Sequence, residues 1–156
     1  MLTELSRLTL DADGRYITPS EWQPVQTYLG QMRQRLSAYG KIQAAADNIL
    51  QEVERRLLQR SPRFFHKNNR DMSSICRRDR TDVLRYICAT LLTGDVTAYK
   101  QRTLCWLQTI ARSFQDQEAA RQSYEVMAEV LKEKLTPPEF ALVRPIVEVT
   151  AEMLGS

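Results

Sequence analysis

The chain contains the same helix-start signal twice, and this signal strongly constrains what it can fold into. Thr18-Pro19-Ser20-Glu21 and Thr136-Pro137-Pro138-Glu139 each place a capping threonine before a proline and a glutamate three residues after the threonine. Elsewhere apolar residues recur at three- and four-residue steps, and no segment shows the alternation of a strand. We therefore expect six to eight helices with short connections, forming one all-α domain over residues 1–156.

The charge of the chain is unevenly distributed. The net charge is only +3, but residues 55–85 contain ten arginines and lysines against three aspartates. Such a block can attract phosphates, carboxylates or an acidic protein surface. The alternative is a solvated helix face with ordinary ion pairs. Nucleic-acid binding is not expected, since the net charge is modest and no binding motif is present.

Several classes of protein are not expected. No apolar run approaches the ~20 residues needed to span a bilayer, and no basic-then-apolar leader begins the chain, so we expect a cytoplasmic protein without membrane insertion. Three cysteines do not suggest a disulfide framework. Cys88 and Cys105 lie in apolar surroundings, where cysteine usually acts as a small hydrophobe. With His66 as the single histidine, in a polar loop, neither a metal site nor haem is expected.

The run from Cys76 to Tyr86 combines reactive and apolar positions on one predicted helix. Its apolar face is predicted to consist of Met72, Ile75, Val83, Ile87 and Leu91. Cys76 lies on that face, with Asp79 nearly above it at i+3. A carboxylate on an apolar stripe is costly unless it is satisfied, so we expect either a buried arginine partner or a bound polar ligand.

Local patterns predict the surroundings of this helix. Gly94 should end it and Asp95 should begin the next helix. Gly40 should interrupt an earlier helix. Ser61 to Asn69 reads as a polar loop, whose two phenylalanines either fold back onto the body or form a contact patch for a partner. The helix after Gly94 is expected to turn Tyr99, Leu104, Leu107, Ile110 and Phe114 inward.

The motifs of this region resemble those of a known family. Cys76-Arg77-Arg78-Asp79, Leu84-Arg85-Tyr86 and Leu92-Thr93-Gly94-Asp95 are similar to the chromophore-helix signature of the phycobiliproteins, the globin-like light-harvesting subunits of cyanobacteria and red algae. Asp13 to Ile17 resembles the family's turn after two N-terminal helices. The resemblance extends over nearly the whole chain. It implies a phycobiliprotein-type, globin-like helical domain, with residues 1–15 as an N-terminal helical extension for dimerisation.

The resemblance also implies roles for individual residues. Cys76 would form a thioether to a linear tetrapyrrole (bilin), Asp79 would accept hydrogen bonds from its central pyrrole nitrogens, and Arg78 would pair with a propionate. Arg77 and Arg85 complete the implied cofactor-binding set. Arg77 and Arg80 are expected to favour the reactive thiolate of Cys76.

This sequence departs from the family pattern at several positions. Asp71-Met72 stands where the family has paired arginines, and alanines at 89 and 111 stand where it has aromatic pocket residues. Trp106 replaces a glycine and is expected to fill part of the pigment cavity. The second bilin-binding loop of some members is short here and lacks a cysteine, so at most one bilin is expected.

These departures lead to three hypotheses, none of them enzymatic. The first is a non-antenna member, similar to the bilin biosynthesis-associated globins, that binds haem oxygenase and bilin reductase, a free bilin, or both. The second is a chromophore-bearing phycobilisome subunit with one bilin on Cys76. The third is an apo scaffold in which Asp79 pairs with an arginine.

The resemblance also bears on assembly and location. The stripe of Leu2, Leu5 and Leu8 would be exposed in a lone monomer, so we expect a dimer, either homomeric or with a related subunit, through the N-terminal helices. The cytosolic face of the thylakoid is a more specific alternative within the cytoplasm.

Overall fold

The computed structural model describes residues 1–156 apart from the side chain of Leu2. The described chain contains nine α-helices and one two-stranded hairpin. The helices are α1 (Leu2–Asp11), α2 (Pro19–Gly30), α3 (Met32–Ala44), α4 (Ala46–Arg60), α5 (Ser73–Thr93), α6 (Val96–Tyr99), α7 (Cys105–Ser113), α8 (Gln117–Lys134) and α9 (Pro137–Leu154). A π-helical segment, Lys100–Leu104, joins α6 to α7 in one continuous helical run. The expectation of an all-α domain is confirmed.

The predicted helix ends are confirmed at three places. Thr18 caps α2 in a reciprocal capping box with Glu21. Gly94 ends α5 with a left-handed φ of 62°, which a glycine adopts without strain. The side chain of Asp95 then accepts a hydrogen bond from the Ala98 amide at 3.1 Å and begins α6. The predicted break at Gly40 is wrong, because Gly40 lies within α3 and the interruption falls at Ala45.

The core lies between α8 and α9 on one side and α3, α4 and α5 on the other. Its fully buried side chains follow the helical repeat on each element, as in Ile49, Val53 and Leu57 of α4. Phe65 is buried and Phe64 packs edge-to-face against it with ring centroids 5.0 Å apart. These phenylalanines therefore fold back onto the body, as expected.

The loop before α5 contains a small hairpin that the sequence did not predict. Strands β1 (His66–Lys67) and β2 (Arg70–Asp71) pair antiparallel through a two-residue turn. Asn68 and Asn69 both have positive φ, 50° and 61°, which asparagine tolerates better than most residues. The hairpin leads the chain directly into α5.

The N-terminal helix is held against the corner between α5 and α6. The Thr3 amide donates to Asp95 Oδ2 at 2.8 Å, and Leu8 is buried. Leu5 is half-buried, while the side chain of Leu2 lies outside the described residues. The expectation that this stripe is exposed in a lone monomer is therefore wrong at Leu8.

Candidate functional site

An open cavity of about 910 Å³ lies between α5, α7, the beginning of α8 and the hairpin. We call it the α5 cavity. This volume is within the range of small-molecule binding sites. Met72, which precedes α5, and six lining residues of α5 recur at three- and four-residue steps on one face; the six are Ile75, Cys76, Asp79, Asp82, Val83 and Tyr86.

The face of α5 that lines the cavity also carries Asp79. The predicted stripe on α5 exists, but in the first turns of the helix it lines the open cavity and not the closed core. Asp79 is accordingly 59% exposed, and so needs no buried partner. Its contact with Arg78 is long, 3.4 Å between Nη2 and Oδ1, and Arg78 is 72% exposed. The first alternative, a buried arginine partner for Asp79, is therefore wrong, and a bound polar ligand stays a prediction.

The buried charge of this region is Arg80, which follows Asp79 directly. Its side chain is 5% exposed and donates from Nη2 to Glu54 Oε1 at 2.8 Å. Its guanidinium carbon also lies 4.7 Å from the centre of the Phe65 ring, in cation–π contact. The helical spacing is consistent with this burial, because Arg80 is four residues after Cys76 and four before the buried Leu84.

Cys76 is half-buried in the cavity wall. Burial raises the pKa of its thiol above the ordinary value, and the nearby charge of Arg80 offsets this only in part. The expectation that neighbouring arginines favour the thiolate is therefore wrong in its net effect. Arg77 instead donates a hydrogen bond to Glu54 Oε2 at 2.8 Å.

Three of the five predicted site residues line the α5 cavity. These are Cys76, Arg78 and Asp79, whereas Arg77 and Arg85 do not line it. Arg85 is 74% exposed and pairs with Asp82 at 2.9 Å. The structure thus brings the cysteine, one arginine and the carboxylate together and places the other two arginines outside.

The basic block of residues 55–85 is largely neutralised by ion pairs. Arg56 pairs with Glu52 at 2.7 Å and with Glu133 at 2.7 Å, and Arg60 pairs with Glu129 at 3.0 Å. The pairs with Glu133 and Glu129 join α4 to α8, whereas the pair with Glu52 lies within α4. The alternative of a helix face with ordinary ion pairs therefore describes this block better than an anion-attracting surface.

The rim of the cavity is unusually apolar for exposed positions. Four large side chains that line it are exposed: Ile75 (42%), Tyr86 (44%), Trp106 (62%) and Phe114 (62%). Trp106 therefore lies at the rim and does not fill the cavity, and Phe114 is not turned into the core; both expectations are wrong. Cys105 is also exposed, contrary to its predicted packing, whereas Cys88 is buried as expected.

The hairpin closes one end of the cavity. Lys67 Nζ lies 2.5 Å from Asp116 Oδ1 and also donates to the carbonyl of Phe114. Lys67, Phe114 and Asp116 all line the cavity. No local sequence pattern predicts this contact, because it joins residues about fifty positions apart.

The lining fits a linear tetrapyrrole. An accessible carboxylate at Asp79 can accept charge-assisted N–H hydrogen bonds, and Arg78 can pair with a carboxylate. The apolar rim supplies surface for a conjugated ring system. In the described residues, no group of three or more His, Cys, Asp or Glu side chains is placed to hold a metal ion. None of the described helices is both long and apolar enough to cross a membrane.

Comparison with known proteins identifies the family. The sequence model described as "Phycobilisome protein" matches residues 8–154. The allophycocyanin alpha chain of Synechocystis sp. (strain ATCC 27184 / PCC 6803 / Kazusa) is 26% identical over 130 residues, which cover 80% of this chain and 81% of that one. Allophycocyanin subunit beta-18 of Aglaothamnion neglectum is 22% identical over 139 residues, covering 86% and 81%. The R-phycocyanin-2 beta chain of Synechococcus sp. (strain WH8103) is 28% identical over 98 residues, covering 60% and 57%. Because the family match takes in nearly the whole all-α domain, the chain belongs to the phycobilisome protein family.

Proposed function

We propose that this protein binds one linear tetrapyrrole in the α5 cavity and acts in the bilin and phycobilisome system outside the standard antenna. The observation that carries the proposal is the cavity itself, about 910 Å³ and lined by Cys76, Arg78 and Asp79 together. The role is one of binding and not of catalysis.

Each of the cavity residues has a distinct part in this binding. Asp79 accepts hydrogen bonds from pyrrole N–H groups, because its carboxylate is exposed to the cavity and only loosely held by Arg78. Arg78 moves away from Asp79 to pair with a propionate. The exposed apolar side chains of the rim cover the ring system and exclude water. When bound, the conjugated ligand supplies visible absorbance.

Spectroscopic titration with biliverdin, a readily available bilin, tests the proposal. We expect saturable binding with a red-shifted, sharpened absorbance band. Asp79→Asn should lose the red shift, since the amide cannot compensate a protonated tetrapyrrole. Asp13→Asn, at an exposed turn residue that does not line the cavity, is the matched control. The absence of saturable binding by the wild-type protein refutes the proposal.

Binding of bilin-synthesis enzymes is a further part of the same proposal. The exposed rim formed by Ile75, Tyr86, Trp106 and Phe114 surrounds the cavity mouth and supports it. A haem oxygenase or a bilin reductase docked there would exchange ligand without releasing it to water. We expect pull-down with these two enzymes to fail for Trp106→Glu and to persist for Leu58→Glu, a change at an exposed leucine of α4 outside the cavity.

The second candidate function is that of a chromophore-bearing subunit with the bilin linked to Cys76. The half-buried position of this thiol in the cavity wall favours it. Its raised pKa opposes spontaneous attachment, so a lyase would be needed. Co-production with a bilin pathway and a lyase, followed by zinc staining of a denaturing gel, separates the two functions. Fluorescence that is lost in Cys76→Ser and kept in Cys105→Ser supports the covalent subunit.

A further inference from the structure

Arg80 is an unusual residue at the floor of the α5 cavity. It is 4% exposed, lines the cavity, and has a buried Nε without a hydrogen-bond partner among the described residues. An unpaired buried donor costs stability. The ion pair with Glu54 uses only Nη2 of its five N–H donors. Arg80 therefore has donor capacity that the folded chain leaves unused.

A second unused donor lies on the same floor. Tyr124 of α8 is 5% exposed and lines the cavity. Burial raises the pKa of its hydroxyl, so the group is a proton donor throughout the physiological range. The comparable buried tyrosine, Tyr99, shares a hydrogen bond with Thr150 Oγ1 at 3.0 Å. The Tyr124 hydroxyl has no such partner in the described part of the chain.

We infer that Arg80 and Tyr124, two buried residues of the cavity lining, form a recognition site for one oxygen acceptor of the bound ligand. The inference rests on the proposed function, which supplies the ligand. For a linear tetrapyrrole the acceptor is a terminal lactam carbonyl or a propionate carboxylate. Binding would satisfy donors that the free protein leaves unpaired, so the two residues help to determine how the ligand is oriented in the cavity.

The Arg80 variant is designed to leave its ion-pair partner satisfied. In Arg80→Met the side chain keeps a similar length, and Glu54 retains its 2.8 Å hydrogen bond from Arg77. We expect biliverdin affinity to fall roughly 10- to 100-fold, as for loss of a hydrogen bond from a charged donor. Circular dichroism and a melting curve confirm that the variant is folded.

Two tyrosine variants, Tyr124→Phe and Tyr99→Phe, give a test that does not disturb the ion pair between Arg80 and Glu54. Tyr124→Phe removes only an unpartnered hydroxyl, so we expect unchanged or slightly higher thermal stability and an affinity about 5- to 10-fold weaker. Tyr99→Phe, the control, should show the reverse: lower stability and unchanged affinity. A structural role of Tyr124 predicts a stability loss in both variants.

The outcomes separate the two proposals. No binding to the wild-type protein refutes the proposed function. Normal wild-type binding with equal affinities for Arg80→Met and Tyr124→Phe overturns the recognition site alone. If both variants bind biliverdin more weakly than the wild-type protein, biliverdin dimethyl ester identifies the acceptor. The difference in affinity between wild type and variants persists with the ester if a lactam carbonyl is bound, and it disappears if a propionate is bound.

Discussion

Two adjacent residues of α5 have opposite environments. Asp79 is 59% exposed at the cavity mouth, whereas the side chain of Arg80 is 5% exposed between Glu54 and the Phe65 ring. Successive helical positions are about 100° apart, so Asp79 lies at the open mouth of the cavity, whereas Arg80 lies in its buried lining and reaches Glu54 of α4. The contribution of a charged side chain of α5 to stability therefore depends on the direction in which its helical position points, and not on the residue type.

The free energy of unfolding should reflect this difference. Glu54→Ala leaves Arg80 buried without its carboxylate, and we expect a loss of about 3 kcal/mol, near the lower end for a broken buried pair because Glu54 keeps some exposure. Asp79→Ala should change stability by less than about 0.5 kcal/mol. Urea unfolding of the ligand-free variants measures both. Equal losses would contradict the assignment of the buried charge to Arg80.

Thiol reactivity should follow exposure and pKa. Thiolate is the reactive form, so a raised pKa leaves less of it at neutral pH. Cys105 is exposed, Cys76 is half-buried with a raised pKa, and burial raises the pKa of Cys88 to about 11. We expect iodoacetamide to modify them in that order at pH 7.5, with the Cys76 rate rising steeply toward alkaline pH. Peptide mapping of a time course measures the order; faster reaction at Cys76 than at Cys105 would indicate an activated thiol.

At the scale of the elements, the ends of α5 and α9 show how the chain fixes its helices. Gly94 ends α5. The last turn of this helix also contacts α2, because the Tyr28 hydroxyl of α2 donates a hydrogen bond to the Leu92 carbonyl at 2.5 Å. Glu139 lies in the first turn of α9 and accepts hydrogen bonds from the amide of Thr136, the residue that precedes the helix, and from Ser37 of α3. These caps therefore also determine how neighbouring helices pack.

Two glycines should respond oppositely to alanine. At Gly94 the left-handed φ is unfavourable for alanine, and an added Cβ would lie 3.0 Å from the Tyr28 ring. We expect Gly94→Ala to cost about 1–2 kcal/mol. Gly40 lies within α3 with nothing close to an added Cβ, so Gly40→Ala should stabilise by about 0.5–1 kcal/mol. Thermal unfolding of both variants checks the prediction, and a shift of the same sign in both would refute it.

The pH dependence of stability should include Glu139. Hydrogen bonds from Lys41 and Ser37 lower the pKa of this carboxyl to about 2, below its ordinary 4.5. A depressed folded-state pKa contributes stability that is present above about pH 4.5 and is lost as the pH falls toward 2. The melting temperatures of wild type and Glu139→Gln should thus differ at pH 7 and converge toward pH 2. Glu148→Gln, at the exposed pair with Arg144, should change little at any pH.

At the scale of the whole molecule, the chain exposes more surface than a compact monomer of its size. Its accessible surface is 9671 Å², about a fifth above the ~8,100 Å² expected for 18.1 kDa. Part of this is an apolar stripe at seven-residue spacing on α2 and α3: Trp22 (39% exposed), Leu29 (55%) and Leu36 (55%). The surface that a partner subunit would cover therefore extends beyond α1.

Assembly should depend on this stripe more than on α1. We expect a dimer in sedimentation equilibrium, either of this chain alone or with a related subunit. Leu29→Glu combined with Leu36→Glu should give a monomer, because two charges would be buried in the interface. Leu58→Glu is the control outside the stripe. Removal of residues 1–15 tests the expectation of an interface through α1. If this truncated protein is a monomer while the double variant stays a dimer, the interface lies on α1 and not on the stripe.

The sequence determined what is local. Apolar spacing, the capping boxes and Gly94 predict the helices and several of their ends, since these depend on residues within one or two turns. The Cys76-to-Tyr86 motif indicated the family and the helix that bears the site. The tertiary structure alone decided which positions of that helix are buried. Whether a face of α5 meets the core or an open cavity depends on α4, α7 and the hairpin, which are distant in sequence. For this reason Asp79 is exposed, Arg80 is the buried charge, and Lys67 pairs with Asp116.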